Sequence, residues 1–199
     1  MKTLQKSILV LLLIFTNLIA NEKDDLKEYF NTKLTTIFSI VKDSTLDDKK
    51  KTKLLKQNLD DIVAFDLIGR LSIGKYFKKF SKEEKEQFFK INKQKIENSF
   101  ISKLKNYKDQ QVKIDNIKYL KSNIIEIQTS IIDKKDTVKV DYKFYKPKHQ
   151  IKNKYRWVMF DIKVAGVSQL ESYSADYKEA LLSQNIQQFL QSLNAKTNL

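Results

Sequence analysis

Cysteine is absent from this chain of 199 residues. That removes disulfide staples, thiolate nucleophiles and lipid-modified cysteine anchors together. Histidine occurs once, as His149 in the lysine-crowded turn KPKHQIKNK, and reads as an exposed surface residue. Without Cys or clustered His, nucleophilic triads and most metal sites lack their parts, so no metal or other cofactor is expected. The three glycines, Gly69, Gly74 and Gly166, stand apart, so there is no glycine-rich phosphate loop. Arginine is scarce too. Only Arg70 and Arg156 contribute to the 38 basic residues that, against 24 acidic ones, set a net charge of +14. Bidentate recognition of phosphates and bases favours arginine, and the lysines are interspersed with acids, so a nucleic-acid partner is not expected. The lysines read as a solvated surface, with weak attraction to anionic lipid headgroups as the functional alternative.

Carboxylates are the remaining chemistry. Asp47-Asp48 and Asp60-Asp61 are sequence neighbours that point in different directions on a helix, so neither makes an acid and base pair. Asp161 lies within an apolar strand, where a carboxylate is expected to bond a helix terminus or a basic side chain. An enzyme is therefore not expected, and no catalytic residue is assigned.

The chain opens MKTLQKSILVLLLIFTNLIA, with Lys2 and Lys6 ahead of an apolar run from Ile8 to Phe15. This reads as a secretory signal peptide over residues 1–20, cleaved after Ala20. Thr16 and Asn17 interrupt the run before it reaches the roughly 20 apolar residues that a membrane span needs. The exported remainder, residues 21–199, is expected to form one domain in the periplasm, held together by packing alone.

From Glu22 to Val41, Leu26, Tyr29, Phe30, Leu34, Ile37, Phe38 and Val41 recur at spacings of three and four, the signature of an amphipathic helix. A second helix is expected over Asp47 to Asp61, and a third within FDLIGRLSIGKYFKKF, residues 65–80, loosened near Gly74. Ser81-Lys-Glu-Glu84 is a capping box opening a long helix to Tyr107, with Phe88, Asn92, Ile96, Phe100 and Leu104 as its buried stripe. The period then changes to two. Val112–Tyr119, Ile124–Ile132, Thr137–Tyr145 and Tyr155–Val164 read as four strands of an antiparallel meander. Ser168-Gln-Leu-Glu171 is another capping box, and two helices close the chain. The expected fold is α+β: a curved antiparallel sheet of about four strands, packed with N- and C-terminal helices around an apolar pocket.

The stretch WVMFDIKVAGVSQL, residues 157–170, is apolar on both sides of an extended strand. Strict alternation puts Val158, Phe160, Ile162 and Val164 on one face, and Trp157 and Met159 with Asp161 on the other. Two apolar surfaces must meet this strand, one from the protein's own helices and one from further protein or from cargo.

Two segments carry a resemblance. FDLIGRLSIGKYFKKFSKEEKEQFF, residues 65–89, is similar to a stretch of the MlaC family, also called the toluene-tolerance family, through Phe65-Asp66, Arg70, Ile73-Gly74, Phe77, Ser81-Lys82-Glu83 and Phe88. The second segment resembles that family's other signature through Trp157, Phe160-Asp161-Ile162, Val164, Gly166-Val167-Ser168 and Tyr173. The chain departs from the family in lacking the proline before Phe65 and in carrying Phe77, Lys82 and Ser174 where tryptophan, proline and arginine are usual. The resemblance implies a periplasmic phospholipid carrier, working between an outer-membrane lipoprotein complex and an inner-membrane ABC transporter with its MCE-domain protein. It also implies a pocket between sheet and helices for acyl chains. The residues expected to line it are Phe65, Ile68, Leu71 and Ile73 from the helices, with Val138, Val140, Tyr142, Phe144, Val158, Phe160 and Ile162 from the sheet. Two alternatives stay open: an exported binding protein for another apolar ligand, and a non-enzymatic assembly factor whose second apolar face a partner covers.

Overall fold

The computed structural model describes residues 2–197 apart from 106, 108, 109, 135, 150, 152 and 153, and for residues 2–21 and 105 the backbone only. The expected cleavage point after Ala20 therefore falls outside the described side chains. The chain divides into two compact units, Met1–Phe38 and Ser39–Leu199.

The first unit is helical, part of α1 (Lys2–Lys42). Its described apolar residues follow the expected spacing: Leu26, Phe30 and Ile37 are buried, while Lys27, Glu28 and Asn31 between them are exposed. No helix is long and apolar enough to cross a membrane among the described residues.

The second unit has a helical layer and a sheet. α2 (Asp48–Ile62) begins where the Asp47 side chain accepts the Lys50 amide hydrogen at 2.7 Å, satisfying one of the amides that a helix start leaves orphaned. α3 (Phe65–Ile73) ends at Gly74, whose φ of 49° lies in the left-handed region that costs a side-chain-bearing residue energy. A 3₁₀ turn (Gly74–Lys79) follows, so the loosening expected near Gly74 is observed. The Ser81 box then starts α4 (Lys82–Lys105): Glu84 N–H donates to Ser81 Oγ at 3.1 Å and Ser81 N–H donates to the Glu84 carboxylate at 2.8 Å. After the sheet come α5 (Gln169–Ser183) and α6 (Ile186–Thr197).

The helical layer has its own core of Ile73, Phe80, Phe88, Ile91, Tyr177, Phe189, Leu190 and Leu193. Phe88 is fully buried at its centre, with the rings of Phe80, Tyr177 and Phe189 at 5.9, 5.9 and 6.1 Å. Asn92, one turn further along α4, is buried among these rings and accepts the Tyr177 hydroxyl hydrogen at 2.8 Å. α3 crosses α4 closely at Gly69, where a Cβ would lie 3.0 Å from the Phe89 ring. On the other side of α4, Lys93 reaches Asp60 at 2.5 Å and Lys56 reaches Glu97 at 3.2 Å, tying on α2.

The sheet is an open antiparallel meander in the order β1-β2-β3-β4-β5, with β1 Gln111–Lys121, β2 Ile124–Ile132, β3 Thr137–Tyr145, β4 Val158–Val164 and the short β5 Val167–Ser168. The α+β expectation is met. Helical layer and sheet join at β4: Ala64 N–H donates to the Met159 carbonyl at 2.8 Å, and Val63 bridges Met159 in parallel. Lys154, ahead of β4, donates its ammonium to the carbonyl oxygens of Asp60 and Val63 at the end of α2, and burial pushes its amine pKa down.

Candidate functional site: the apolar face of the sheet

Strand pairing sorts the side chains of the sheet into two faces. One face consists of rows: Tyr119, Ile125, Phe144 and Met159; then Ile117, Ile127, Tyr142 and Ile162; then Ile114, Thr129, Val140 and Val164; then Val112, Ile131 and Val138. Apart from Thr129 and the hydroxyls of Tyr119 and Tyr142, this face is hydrocarbon. The opposite face carries Lys118, Glu126, Lys143 and Asp161 in one row and Asn116, Gln128, Asp141 and Lys163 in the next.

Strict alternation would not produce this segregation. β1 holds Val112, Ile114, Ile117 and Tyr119 on one face only because an irregularity lies between Ile114 and Asn116, giving Asp115 no partner in the ladder. β4 has a similar irregularity opposite the step from Lys143 to Phe144, where the pairing jumps from Asp161 to Met159 and skips Phe160. An extra residue reverses the facing of everything beyond it. The expectation that Val158, Phe160 and Ile162 share a face is therefore corrected: Ile162 and Met159 lie on the apolar face, Phe160 occupies the bulge, and Val158 pairs with Tyr145 on the other side.

Bulges also bend and twist a strand. The bend is visible where Tyr119 of β1 meets Trp157 at the head of β4 with ring centroids 6.3 Å apart, although two whole strands separate them in the sheet. This end of the apolar face is narrow and closed. Ile125, Ile127, Thr129 and Phe144 are fully buried, and Val140, one row from the far end, is 4% exposed. At the far end exposure rises, with Val138 at 39%. The face deepens from a rim at Val138 to a closed end under Trp157.

Two polar groups stand midway. Thr129 Oγ1 donates to the Val140 carbonyl at 2.8 Å, and the Tyr142 hydroxyl is hydrogen-bonded to the Thr129 side chain. Desolvation pushes the Tyr142 phenol up to about 12, so it is neutral at ordinary pH and can act as a hydrogen-bond donor inside an apolar surface. Trp157 Nε1 is buried without a hydrogen-bond partner at the closed end.

Asp161 has the role expected of it. Its carboxylate accepts Lys143 Nζ at 3.0 Å, Ser168 Oγ at 2.9 Å and the Leu170 amide at 3.1 Å, and Ser168 in turn caps α5 by accepting the Glu171 amide at 3.1 Å. It fixes the start of α5 to β4 on the polar side. No group of three or more His, Cys, Asp or Glu is placed to hold a metal ion among the described residues.

The expected lining residues are thus distributed as follows. Val140, Tyr142, Phe144 and Ile162 share the apolar face, and Val138 is at its rim. Phe65 and Ile68 are buried in α3, the helix that starts beside Met159. Ile73 belongs to the helical core and Leu71 is 43% exposed, so the structure does not bring these two to the sheet face. Sequence reasoning passed over Ile117, Tyr119, Ile125, Ile127 and Met159. The usable signal was the isoleucine density of β2, whose central position in the sheet makes its Ile125–Ile127–Ile131 side the middle of the face.

Comparison with known proteins agrees with this geometry. The family model described as "MlaC protein" matches residues 31–195. The intermembrane phospholipid transport system binding protein MlaC of Haemophilus influenzae is 30% identical over 135 residues, covering 67% of this chain and 62% of that protein. The chain thus aligns with somewhat less than two thirds of that relative's length. A phospholipid-binding protein from Ralstonia solanacearum, solved in complex with a phospholipid, has the same fold, with a TM-score of 0.73 at 18% identity over 85% of this chain and 97% of that one. The two stretches that carry the resemblance in sequence come close where Ala64, the residue just ahead of the first, bonds Met159 in the second. The chain belongs to the MlaC family.

Proposed function

We propose that this protein is a periplasmic phospholipid carrier that holds acyl chains against the apolar face of its sheet. The observation that carries the reading is the size and continuity of that face. From Val138 to Phe144 is six residues, about 20 Å of strand at about 3.4 Å per residue. An acyl chain occupies about half of a hydrocarbon core some 30 Å thick, roughly 15 Å. Four strands spaced about 4.8 Å apart give a width of about 14 Å, enough for two chains side by side. Burying a CH₂ contributes about 0.8 kcal/mol, so two chains of about sixteen carbons need on the order of 25 kcal/mol of apolar shelter. A face of nearly pure hydrocarbon supplies it. The face is covered in this structure, so lipid enters by replacing apolar contacts, and the net exchange can be close to neutral.

In this reading residues 21–199 form the carrier domain and residues 1–20 the signal that exports it. The headgroup stays at the Val138 rim, in water. Release needs a receiving protein that offers an equally apolar route, which is the part an inner-membrane ABC transporter with an MCE-domain protein and an outer-membrane lipoprotein complex would play. The relative from Haemophilus influenzae, named for intermembrane phospholipid transport, supports that assignment.

Native mass spectrometry of the protein recovered from the periplasm, followed by organic extraction, tests the reading. Stoichiometric diacyl phospholipid is expected. A clean apo mass that does not change after incubation with phospholipid vesicles would overturn it, and recovery of a different apolar molecule alone would reassign the cargo.

A further inference from the structure

A second surface is built on different chemistry. Between Arg70 and Lys82 the chain carries five cations and no acid. The 3₁₀ turn Gly74–Lys79 lies in the middle of this stretch and has no buried residue. Tyr76 and Phe77 are half-buried, resting on the helical core, and each lies under two cations: Lys75 and Lys79 at 5.6 and 5.3 Å from the Tyr76 ring, Arg70 and Lys85 at 5.1 and 4.9 Å from the Phe77 ring. Lys78 and Lys82 are exposed beside them, as is Leu71. No carboxylate pairs with any of these cations among the described residues. Of the acids that follow in α4, Glu83 accepts from Ser81 Oγ and Glu84 accepts from the Ser81 amide and from Gln187 Nε2, which turns both toward the start of α4.

We infer that this turn is a docking surface for an anionic lipid bilayer, separate from the acyl-chain face. Three features select a membrane over an acidic protein. The cations are mostly lysine, which protein interfaces disfavour and which juxtamembrane basic segments use as point charges toward anionic headgroups. The aromatics have an apolar body with a wet edge, the amphipathic form that settles at headgroup level. None of the element's residues is buried, so its cations and aromatic edges are open together to a flat headgroup surface. At a bilayer the lysines exchange their ring contacts for headgroup phosphates, leaving Tyr76, Phe77 and Leu71 to enter the interface. Docking there would bring the protein to the membrane whether or not it holds lipid.

Vesicle co-flotation tests this with phosphatidylcholine alone and with phosphatidylcholine mixed with phosphatidylglycerol, at about 0.15 M salt, where the Debye length is about 8 Å. The combined variant Lys75→Gln, Lys78→Gln, Lys79→Gln is compared with Lys49→Gln, Lys53→Gln, Lys121→Gln, three exposed lysines elsewhere. All proteins keep the same N-terminal segment, so its own affinity for lipid cancels in the ratio. At about 1 kcal/mol per cation near the surface, the turn variant should lose on the order of a hundredfold in affinity for anionic vesicles, and the control no more than a few-fold. Equal losses in the two variants would reduce the effect to net charge and overturn the inference. So would wild-type protein that shows no preference for anionic vesicles, including protein that binds an acidic protein instead. Because the readout is docking and not cargo, protein that floats with vesicles yet carries no lipid would sink the carrier reading alone.

Discussion

Replacing Val140 with tryptophan separates a face that opens for lipid from a closed protein core. Val140 is 4% exposed, between Thr129 on β2 and Val164 on β4, in the row next to the rim. In a core packed to its final density, the larger side chain forces its neighbours off their rotamers at a cost of about 1–3 kcal/mol. At about 2–4 °C per kcal/mol for a domain of this size, the melting temperature would fall by roughly 2–12 °C. If the face is a lipid site, the indole also takes the place of about four methylenes of cargo, worth about 3 kcal/mol, or on the order of a hundredfold in lipid affinity. We expect V140W purified from the periplasm to carry markedly less phospholipid by native mass spectrometry; because protein contacts cover this row when no lipid is held, the delipidated variant melts lower under either reading, and the lipid complement is the deciding readout. A full lipid complement together with a lower melting temperature would refute the assignment of this row to cargo.

Three further outcomes test the frame around the face. Asp161→Ala leaves the Lys143 ammonium, whose side chain is 19% exposed, without its carboxylate, and costs about 3–5 kcal/mol. Thermal melting should drop by about 10 °C, with Asp161→Asn intermediate; loss of function at unchanged stability would instead mark Asp161 as chemically active. Tyr142 has a folded pKa of about 12 against an ordinary value of 10.0. The folded state therefore retains a proton that the unfolded state loses over that window, and stability present below pH 10 is lost as pH rises towards 12, by up to about 3 kcal/mol. Urea unfolding of wild type and Tyr142→Phe across this range should show the variant losing less, and parallel curves would refute the assigned burial. Ala165 holds a φ of 49° in the turn between β4 and β5, a conformation asparagine tolerates better, so Ala165→Asn should stabilise by about 0.5–1 kcal/mol, read as a higher urea midpoint.

Period and capping chemistry made most of the fold legible. The limits read for β2 and β3 are the observed ones, because neither strand contains an inserted residue and the two pair with each other without irregularity. Ser81 and Ser168 open α4 and α5 as their capping boxes require. Asp161 was legible because an acid buried in a strand must find donors. The helical side of the proposed site was only half legible. Leu71 and Ile73 share the apolar character of Phe65 and Ile68, but the side of a short helix that meets the sheet is decided by its crossing at Gly69, which no local pattern reveals. β4 was misread for a related reason: period two gives one answer for an ideal strand, and a bulge is a property of the pair of strands.

The bulges connect the fold to the cargo it is proposed to carry. A regular meander of these strands would place Asp115 and Phe160 within the alternation, turn half of the apolar residues of β1 and β4 outward, and leave a flatter sheet. Bulging at Asp115 lets its carboxylate accept from Lys139 at 2.8 Å and from Ser130 Oγ, so the extra residue is anchored on the polar side. Bulging at Phe160 brings Met159 onto the apolar face where Ala64 holds its carbonyl, while Asp161 stays on the polar face where Ser168 and Lys143 hold it. One inserted residue thus lets a single strand satisfy a helix start through one neighbour and an apolar row through the other. Its bend also helps bring Trp157 over Tyr119 to close the narrow end. A sheet that must shelter something as long as an acyl chain needs a deep concave face with one sealed end, and irregular strands are the direct physical route to it.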